Sequence, residues 1–319
     1  VPFAYETIYE AAEKGNLADV KRHLLKGGVV NVKDDNDNTP LMYAAENGRL
    51  DVVKYLVSLG GDINGRNISE ETPTLLAVEA GKLEVVQYLL NTGAEDALSE
   101  LLCCAAGNGR IEMLKYFVEK GANVNEISGK NTEHTPLICA VTNGQIKAVV
   151  YLLENGAEID EPVKYGGSPS SHAARCGQLE ILKYLVNKGA NVKGGTGNAL
   201  LGEASQGGHL DVVKYLVEEC GADVNAGALY DASFWGGQYR VVQFLVERGA
   251  DVNIRQENGR TPLHYATVGN VQLSVVRCLV EHGADVNARD RDGDTPLSNV
   301  SGMFGEYKVA QYLKQHGAR

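Results

Sequence analysis

The chain has 319 residues, 41 acidic against 30 basic side chains, and a formal charge of −11 at neutral pH. A long polyanion such as DNA or RNA would be repelled, because no run of Lys or Arg offsets that charge. No apolar run reaches the ~18 residues of a membrane helix and no charged-then-apolar leader is present, which reads as a soluble protein without membrane insertion.

Taken in order, the chain is one helical hairpin written about ten times. The first copy, from Glu6, keeps Ile8, Ala11, Ala12 and Gly15, but its second helix is irregular, with His23 in or beside a column otherwise filled by Leu. It reads as a solvent-facing cap. The second copy, TPLMYAAENGRLDVVKYLVSLGGDIN from Thr39, is the clearest. Thr39 supplies an N-cap oxygen and Pro40 sits at the first helical position, where its fixed φ and missing N–H do no harm. Leu41, Ala44 and Ala45 give an apolar side with small residues, and Gly48 ends the helix. Leu50, Val53, Leu56 and Val57 form a second apolar face, Gly60 closes it, and Asp62-Ile63-Asn64 runs on as an arm. One such hairpin cannot bury both faces alone, so copies must stack; each buried Leu or Val then contributes about 1.5–3 kcal/mol.

Later starts fall at Thr72, Glu100, Thr135, Ser168, Ala199, Ala228, Thr261 and Thr295. The period is ~33 residues, and shorter spacings after the third, sixth and seventh copies place truncated arms there. The ninth and tenth copies each need one extra residue in the first helix or its turn. The tenth, ending Gln315-His316-Gly317-Ala318-Arg319, reads as the second cap. Tyr55, Tyr88, Tyr116, Tyr151, Tyr184, Tyr215, Phe244 and Tyr312 share one second-helix position and read as an aromatic ladder half-packed between neighbours rather than a cofactor box.

TPLMYAAENGRLDVVKYLVSLGGDIN, with TPLHYATVGN (261 to 270) and EHGADVNARDRDGDTPL (281 to 297), resembles the ankyrin repeat from about Tyr5 to the last residue. The resemblance implies an all-α ankyrin-repeat solenoid of stacked helix-turn-helix units with β-hairpin or loop arms. Such a solenoid is curved, with a concave groove lined by first helices and arm tips, and here forms a single domain over 5–319. It also implies that His264, in the Thr-Pro-Leu-His position, hydrogen-bonds neighbouring backbone.

Groove positions carried over from the resemblance are polar and mostly acidic near the N-terminus (Asp35, Asn36, Asn38, Glu46, Asn47, Ser69, Glu71, Glu79). In the middle they become Lys164, Tyr165, Arg175, Gln206 and Trp235, with Glu257, Asn258 and Arg260 beyond. Middle repeats also break the opening pattern: Ser170 occupies a slot where other copies bury Leu, and Gly202-Glu203 and Tyr230-Asp231 replace the usual apolar residues. A polar residue in a buried slot is unfavourable unless satisfied, so these departures point to a site. Trp235, the only tryptophan, falls at an exposed groove position beside truncated arms; it reads either as a binding anchor or as filler for the missing tips.

The function expected is non-catalytic protein recognition, as a scaffold or adaptor. A neutral or basic segment of another protein would be anchored by Tyr165, Arg175 and Trp235 and oriented by Lys164, His172, Glu203 and Asp231. Alternatives are a nucleotide-like ligand stacked on groove aromatics, or the targeting domain of a larger enzyme or ubiquitin-ligase subunit. Ser171, His172 and Glu203 invite a hydrolase reading, but consecutive residues on a helix point about 100° apart and an open groove admits water. His172, Cys176 and Cys139 hint at zinc, which needs ligands converging to about 2.0–2.3 Å across repeats. The expectation is therefore no enzyme, no cofactor and no metal, in a chain monomeric on its own. Cys103, Cys104, Cys139, Cys176, Cys220 and Cys278 form no Cys-x-x-Cys pair and read as reduced thiols of a cytoplasmic protein. The opening Val1-Pro2, without Met, reads as a part trimmed from a longer protein.

Overall fold

The structure, a computed structural model, describes residues 5–128, 134–160, 167–192, 195–234, 238–268, 272–300 and 306–319. Among them are 19 helices and no strand; a single antiparallel bridge joins Ser128 and His134. The arms are therefore hydrogen-bonded loops more than β-hairpins. Two compact units divide the chain, one ending at Glu158 and one beginning at Ile159.

The first unit holds five helix pairs: α1 (Ile8–Lys14) and α2 (Leu17–Leu25), α3 (Pro40–Glu46) and α4 (Leu50–Ser58), α5 (Pro73–Glu79) and α6 (Leu83–Thr92), α7 (Leu98–Gly107) and α8 (Ile111–Glu119), α9 (Pro136–Thr142) and α10 (Ile146–Glu154). In the second unit are α11 (Pro169–Arg175) and α12 (Leu179–Asn187), α13 (Gly195–Gly207) and α14 (Leu210–Glu218), α15 (Ala228–Phe234) and α16 (Tyr239–Glu247), α17 (Pro262–Ala266) and α18 (Leu273–Glu281), then α19 (Glu306–Gln315). Within each unit first helices pack on first helices, α1 through α9 in one and α11 through α17 in the other.

The Thr-Pro starts behave as their chemistry requires. Thr39, Thr72 and Thr135 accept from the backbone N–H three residues on, at 3.3, 3.1 and 3.3 Å, and Ser168 does so at 3.3 Å. Each satisfies a donor the helix itself leaves open. Gly48, at φ 71°, ends α3 in the left-handed region, and a Cβ there would come within 2.8 Å of Lys82 Cδ, so the position needs glycine twice over. Neighbouring turns are tied together by the residue that opens each second helix. Arg49 Nε donates to the Glu13 carbonyl at 2.7 Å, Arg110 Nε to the Glu79 carbonyl at 2.8 Å, and His209 Nε2 to the Arg175 carbonyl at 2.9 Å. A carbonyl at the end of these three first helices is thus capped by the next repeat.

Arms are joined by asparagines. Asn64 Nδ2 donates to the Gly93 carbonyl at 3.2 Å while its Oδ1 accepts from Glu95 N–H at 2.9 Å. Asn253 repeats both bonds with Gly283 and Asp285 at 2.9 and 2.8 Å, and Asn287 with Gly317 and Arg319 at 2.9 and 3.0 Å. On the second helices the tyrosines of the aromatic stripe are half-buried as the sequence suggested, while Phe244 is buried. Cations of one repeat lie over rings of the next: Lys21 over Tyr55 at 5.1 Å, Lys54 over Tyr88 at 5.9 Å, Lys214 over Phe244 at 5.7 Å and Arg277 over Tyr312 at 5.4 Å.

Departures from the expected pattern have local causes. Without Thr-Pro to stop them, α7 and α13 begin at Leu98 and Gly195, ahead of the expected Glu100 and Ala199. In the eighth repeat Gln238 N–H bonds to the Ala232 carbonyl, six residues back, where Arg49 reaches five back to Ala44. One residue has been added to the turn, and Tyr230 moves into the column of Met42. The ninth first helix is only Pro262–Ala266. Thr295 to Val300 makes successive turns, with Ser298 N–H on the Thr295 carbonyl and Val300 N–H on that of Leu297. Ten helix pairs is thus corrected, among the described residues, to nine pairs and a single closing helix.

Candidate functional site

In the second unit, the shift in register sets Glu203 and Asp231 in one column of adjacent first helices, α13 and α15. They line a hollow of about 370 Å³ with Asn198, Gly202, Gln206 and Ala226. Gly202 is what opens it, since a Cβ there would stand 2.9 Å from Asp231 Oδ2. From α11, one turn after His172, Arg175 reaches across and grips Glu203 with both ends of its guanidinium, Nε to Oε2 at 2.7 Å and Nη2 to Oε1 at 3.0 Å. This two-point geometry fixes both planes. Asp231 has no such cation. Burial, and then the Glu203 charge, push its pKa up to about 6, so it enters neutral solution as a carboxylate that gains from any cation brought to it.

Other expected site residues are scattered. His172 is buried in α11 at 5% exposure, Ser171 Oγ lies 3.3 Å from Ser168 Oγ, and both Glu203 oxygens belong to Arg175, so no nucleophile, base and acid line up. Arg260 Nε donates to Asp290 Oδ2 at 3.1 Å. Burial works to raise the Asp290 pKa, but that bond and the N–H groups of Asp294 and Asp292 hold it below the usual carboxylate range. Glu257 is exposed in an arm. Lys164, Tyr165 and Trp235 lie outside the described residues. Among the described residues no three His, Cys, Asp or Glu side chains gather where they could hold a metal ion.

A second hollow, of about 450 Å³, lies in the first unit between α5, α7 and α9. Glu71, Glu79 and Glu100 line it together with Cys103, Cys104 and Cys139. Gly107 stands where Glu46 and Glu79 stand in earlier repeats, and its missing side chain leaves the space. Burial, then the charges of Glu71 and Glu46, raise the Glu79 pKa.

The family profile described as "Ankyrin repeats (3 copies)" matches residues 8–100, 96–163, 159–228 and 229–319. The chain belongs to the ankyrin-repeat family. Its Thr-Pro-Leu-His residue behaves as the resemblance implied: fully buried, His264 accepts at Nδ1 from Thr261 N–H at 3.1 Å and donates from Nε2 to the Asp294 carbonyl at 3.1 Å. Among similar ankyrin-repeat chains is "Ankyrin repeat and KH domain-containing protein mask-1" of Caenorhabditis elegans, 29% identical over 179 residues, covering 54% of this chain and 7% of that protein. "Ankyrin repeat and KH domain-containing protein 1" of Homo sapiens is 33% identical over 95 residues, 27% of this chain and 4% of that protein. "Alpha-latrotoxin-Lh1a" of Latrodectus hasselti is 37% identical over 108 residues, 30% of this chain and 8% of that protein. The chain spans less than a tenth of the length of each.

Sequence reasoning about this ankyrin-repeat chain reached Arg175, Glu203 and Asp231 but paired Glu203 with His172. The signal for the true partner was the i, i+3 step from His172 to Arg175, one helical turn closer to the open edge. That Cys103, Cys104 and Cys139 line one hollow was missed, because Cys139 was weighed with His172 and Cys176 instead.

Proposed function

We propose that the chain is a non-catalytic protein-recognition module, a scaffold or adaptor, that seats a segment of another protein on its first helices and arm tips. The observation that carries this reading is the charge imbalance of the second-unit hollow, where of two carboxylates, Glu203 and Asp231, Glu203 takes both ends of the Arg175 guanidinium and Asp231 is left without it. A Lys or Arg of the partner completes the set at Asp231, while Gln206 and Asn198 offer amides to its backbone. Such a site selects by charge and geometry and rejects acidic segments. Six free cysteines and the absence, among the described residues, of any helix able to cross a membrane support work in a reducing, aqueous compartment such as the cytoplasm. Monomeric action is part of the same reading.

The test is capture from cell lysate on the immobilised full chain, followed by direct binding of each retained protein after purification. Paired neutralisation, Glu203→Gln with Asp231→Asn, is expected to weaken a specific partner at least tenfold. Retention unchanged by the paired variant overturns the site; catalytic turnover of a bound protein overturns the function.

A further inference from the structure

A third hollow, of about 410 Å³, opens between the second helices α16 and α18 of the second unit, with Tyr239, Gln243, Leu273, Cys278, Glu281 and His282 in its lining. We propose that it is a docking site for an aromatic side chain, a tyrosine, of a partner protein. The aromatic stripe breaks here. The sixth residue of each second helix from α4 to α16 is Tyr55, Tyr88, Tyr116, Tyr151, Tyr184, Tyr215 or Phe244, whereas in α18 it is Cys278.

Both halves of the usual ring contact are replaced together. The fifth residue of a second helix sets a cation over the ring of the next repeat, as Lys183 does over Tyr215 at 5.9 Å and Lys214 over Phe244 at 5.7 Å. In α16 that residue is Gln243, bonded along its own helix from Nε2 to Glu247 Oε1 at 2.9 Å. The residue four after the ring covers it from its own repeat: Lys188 lies over Tyr184 at 5.6 Å, Arg248 over Phe244 at 4.7 Å, and His316 against Tyr312 with ring centroids 4.1 Å apart. His282 makes the same backbone bond as His316, Nδ1 donating to the carbonyl four residues back at 2.7 and 2.8 Å. What it finds there is the buried Cys278 sulfur, 3.9 Å from Nδ1, in place of a ring.

A third departure borders the same space. Where α4, α6, α12, α14 and α18 begin with Leu, α16 begins with Tyr239, whose ring is 40% exposed. An exposed ring offers another an edge or a face, and a cysteine or methionine sulfur is a soft, polarizable neighbour for an aromatic. The array itself states the size of the occupant, a ring such as seven neighbouring second helices carry, tyrosine in six of them. A protein segment delivers a tyrosine ring at small conformational cost, since only two side-chain torsions are fixed. This surface belongs to second helices, apart from the Glu203 and Asp231 hollow, so it stands whether or not that reading does.

The full chain, with carbon-13-labelled histidines, is titrated with N-acetyltyrosinamide and with p-cresol, the His282 Cε1–H signal being assigned among the seven histidines by its loss in His282→Gln. A ring seated against the His282 face is expected to shift that signal upfield, saturably, at millimolar concentrations of either probe, while N-acetylleucinamide leaves it in place. Tyr239→Leu should weaken both probes about threefold by removing an aromatic wall. Cys278→Tyr should fold, show the shift without any probe and no longer titrate. No saturable shift, an equal shift from the leucine probe, or tighter binding by Tyr239→Leu would each overturn the proposal, as would unfolding of Cys278→Tyr, because the space must hold a ring. Binding of p-cresol with exclusion of N-acetyltyrosinamide would overturn the protein partner in favour of a free phenol.

Discussion

Asp231 shows how one side chain carries both a cost and a use. Burial and the Glu203 charge raise its pKa to about 6, above the ~3.9 of an unfolded Asp, so the folded state holds the proton more tightly. That favours folding below pH ~4 in relative terms, and the advantage is lost as pH rises through about 6. Asp231→Asn is therefore expected to melt higher than the natural chain at pH 7, by about 1 kcal/mol after allowance for solvent screening, with the gap closing by pH 4 in calorimetry. A gap independent of pH would assign the effect to packing. Ser170 is a simpler case. Its hydroxyl is fully buried with no hydrogen-bond partner among the described residues, and the sequence had flagged it as a polar residue in an apolar slot. Ser170→Ala should raise unfolding free energy by about 1 kcal/mol in urea titration, since an unmade hydrogen bond is costlier than a missing hydroxyl.

At the scale of elements, starts were legible at Thr39, Thr72, Thr135, Ser168 and Thr261, because cap oxygen and proline act locally; Thr295-Pro296 is the exception, opening successive turns. At Glu100 and Ala199 no such stop exists, and stacking on adjacent helices carried the helices upstream of them, to Leu98 and Gly195. The site suffered similarly. Columns read from repeat alignment found its residues, yet the added turn residue in the eighth repeat, which moved Asp231 beside Glu203, follows from backbone bonding that no local pattern encodes. The asparagine clamps were visible as the Asn that ends arms such as those at Asn64, Asn253 and Asn287, but their purpose needs the next repeat in place. Asn64→Asp keeps the acceptor for Glu95 N–H and turns a carboxylate toward the Gly93 carbonyl in place of the amide donor. It should lower unfolding free energy by about 1 kcal/mol, and more than Asn64→Ala does, in paired urea titrations; equal losses would mean the donated bond contributes little.

For the whole molecule, charge sets the terms of encounter. At −11 the chain repels itself, and many of its cations are held over rings of the aromatic stripe. Raising ionic strength from about 10 mM to 150 mM shortens the screening length from about 30 to 8 Å. The melting temperature should therefore rise by a few degrees while capture of a basic partner slows; a falling melting temperature would show that ion pairs such as Arg175 with Glu203 outweigh the repulsion.

What Gly107 lacks, in the wall of the first-unit hollow, is a stopper. Its backbone is ordinary, and an added Cβ would meet the Asn143 amide nitrogen at 3.3 Å and the Cβ and carbonyl oxygen of Cys139 at 3.8 Å. A leucine there could cork the first-unit hollow from inside without bending the chain, leaving the Asp231 hollow untouched. One residue thus offers a valve by which the two cavities can be silenced separately and their tasks told apart.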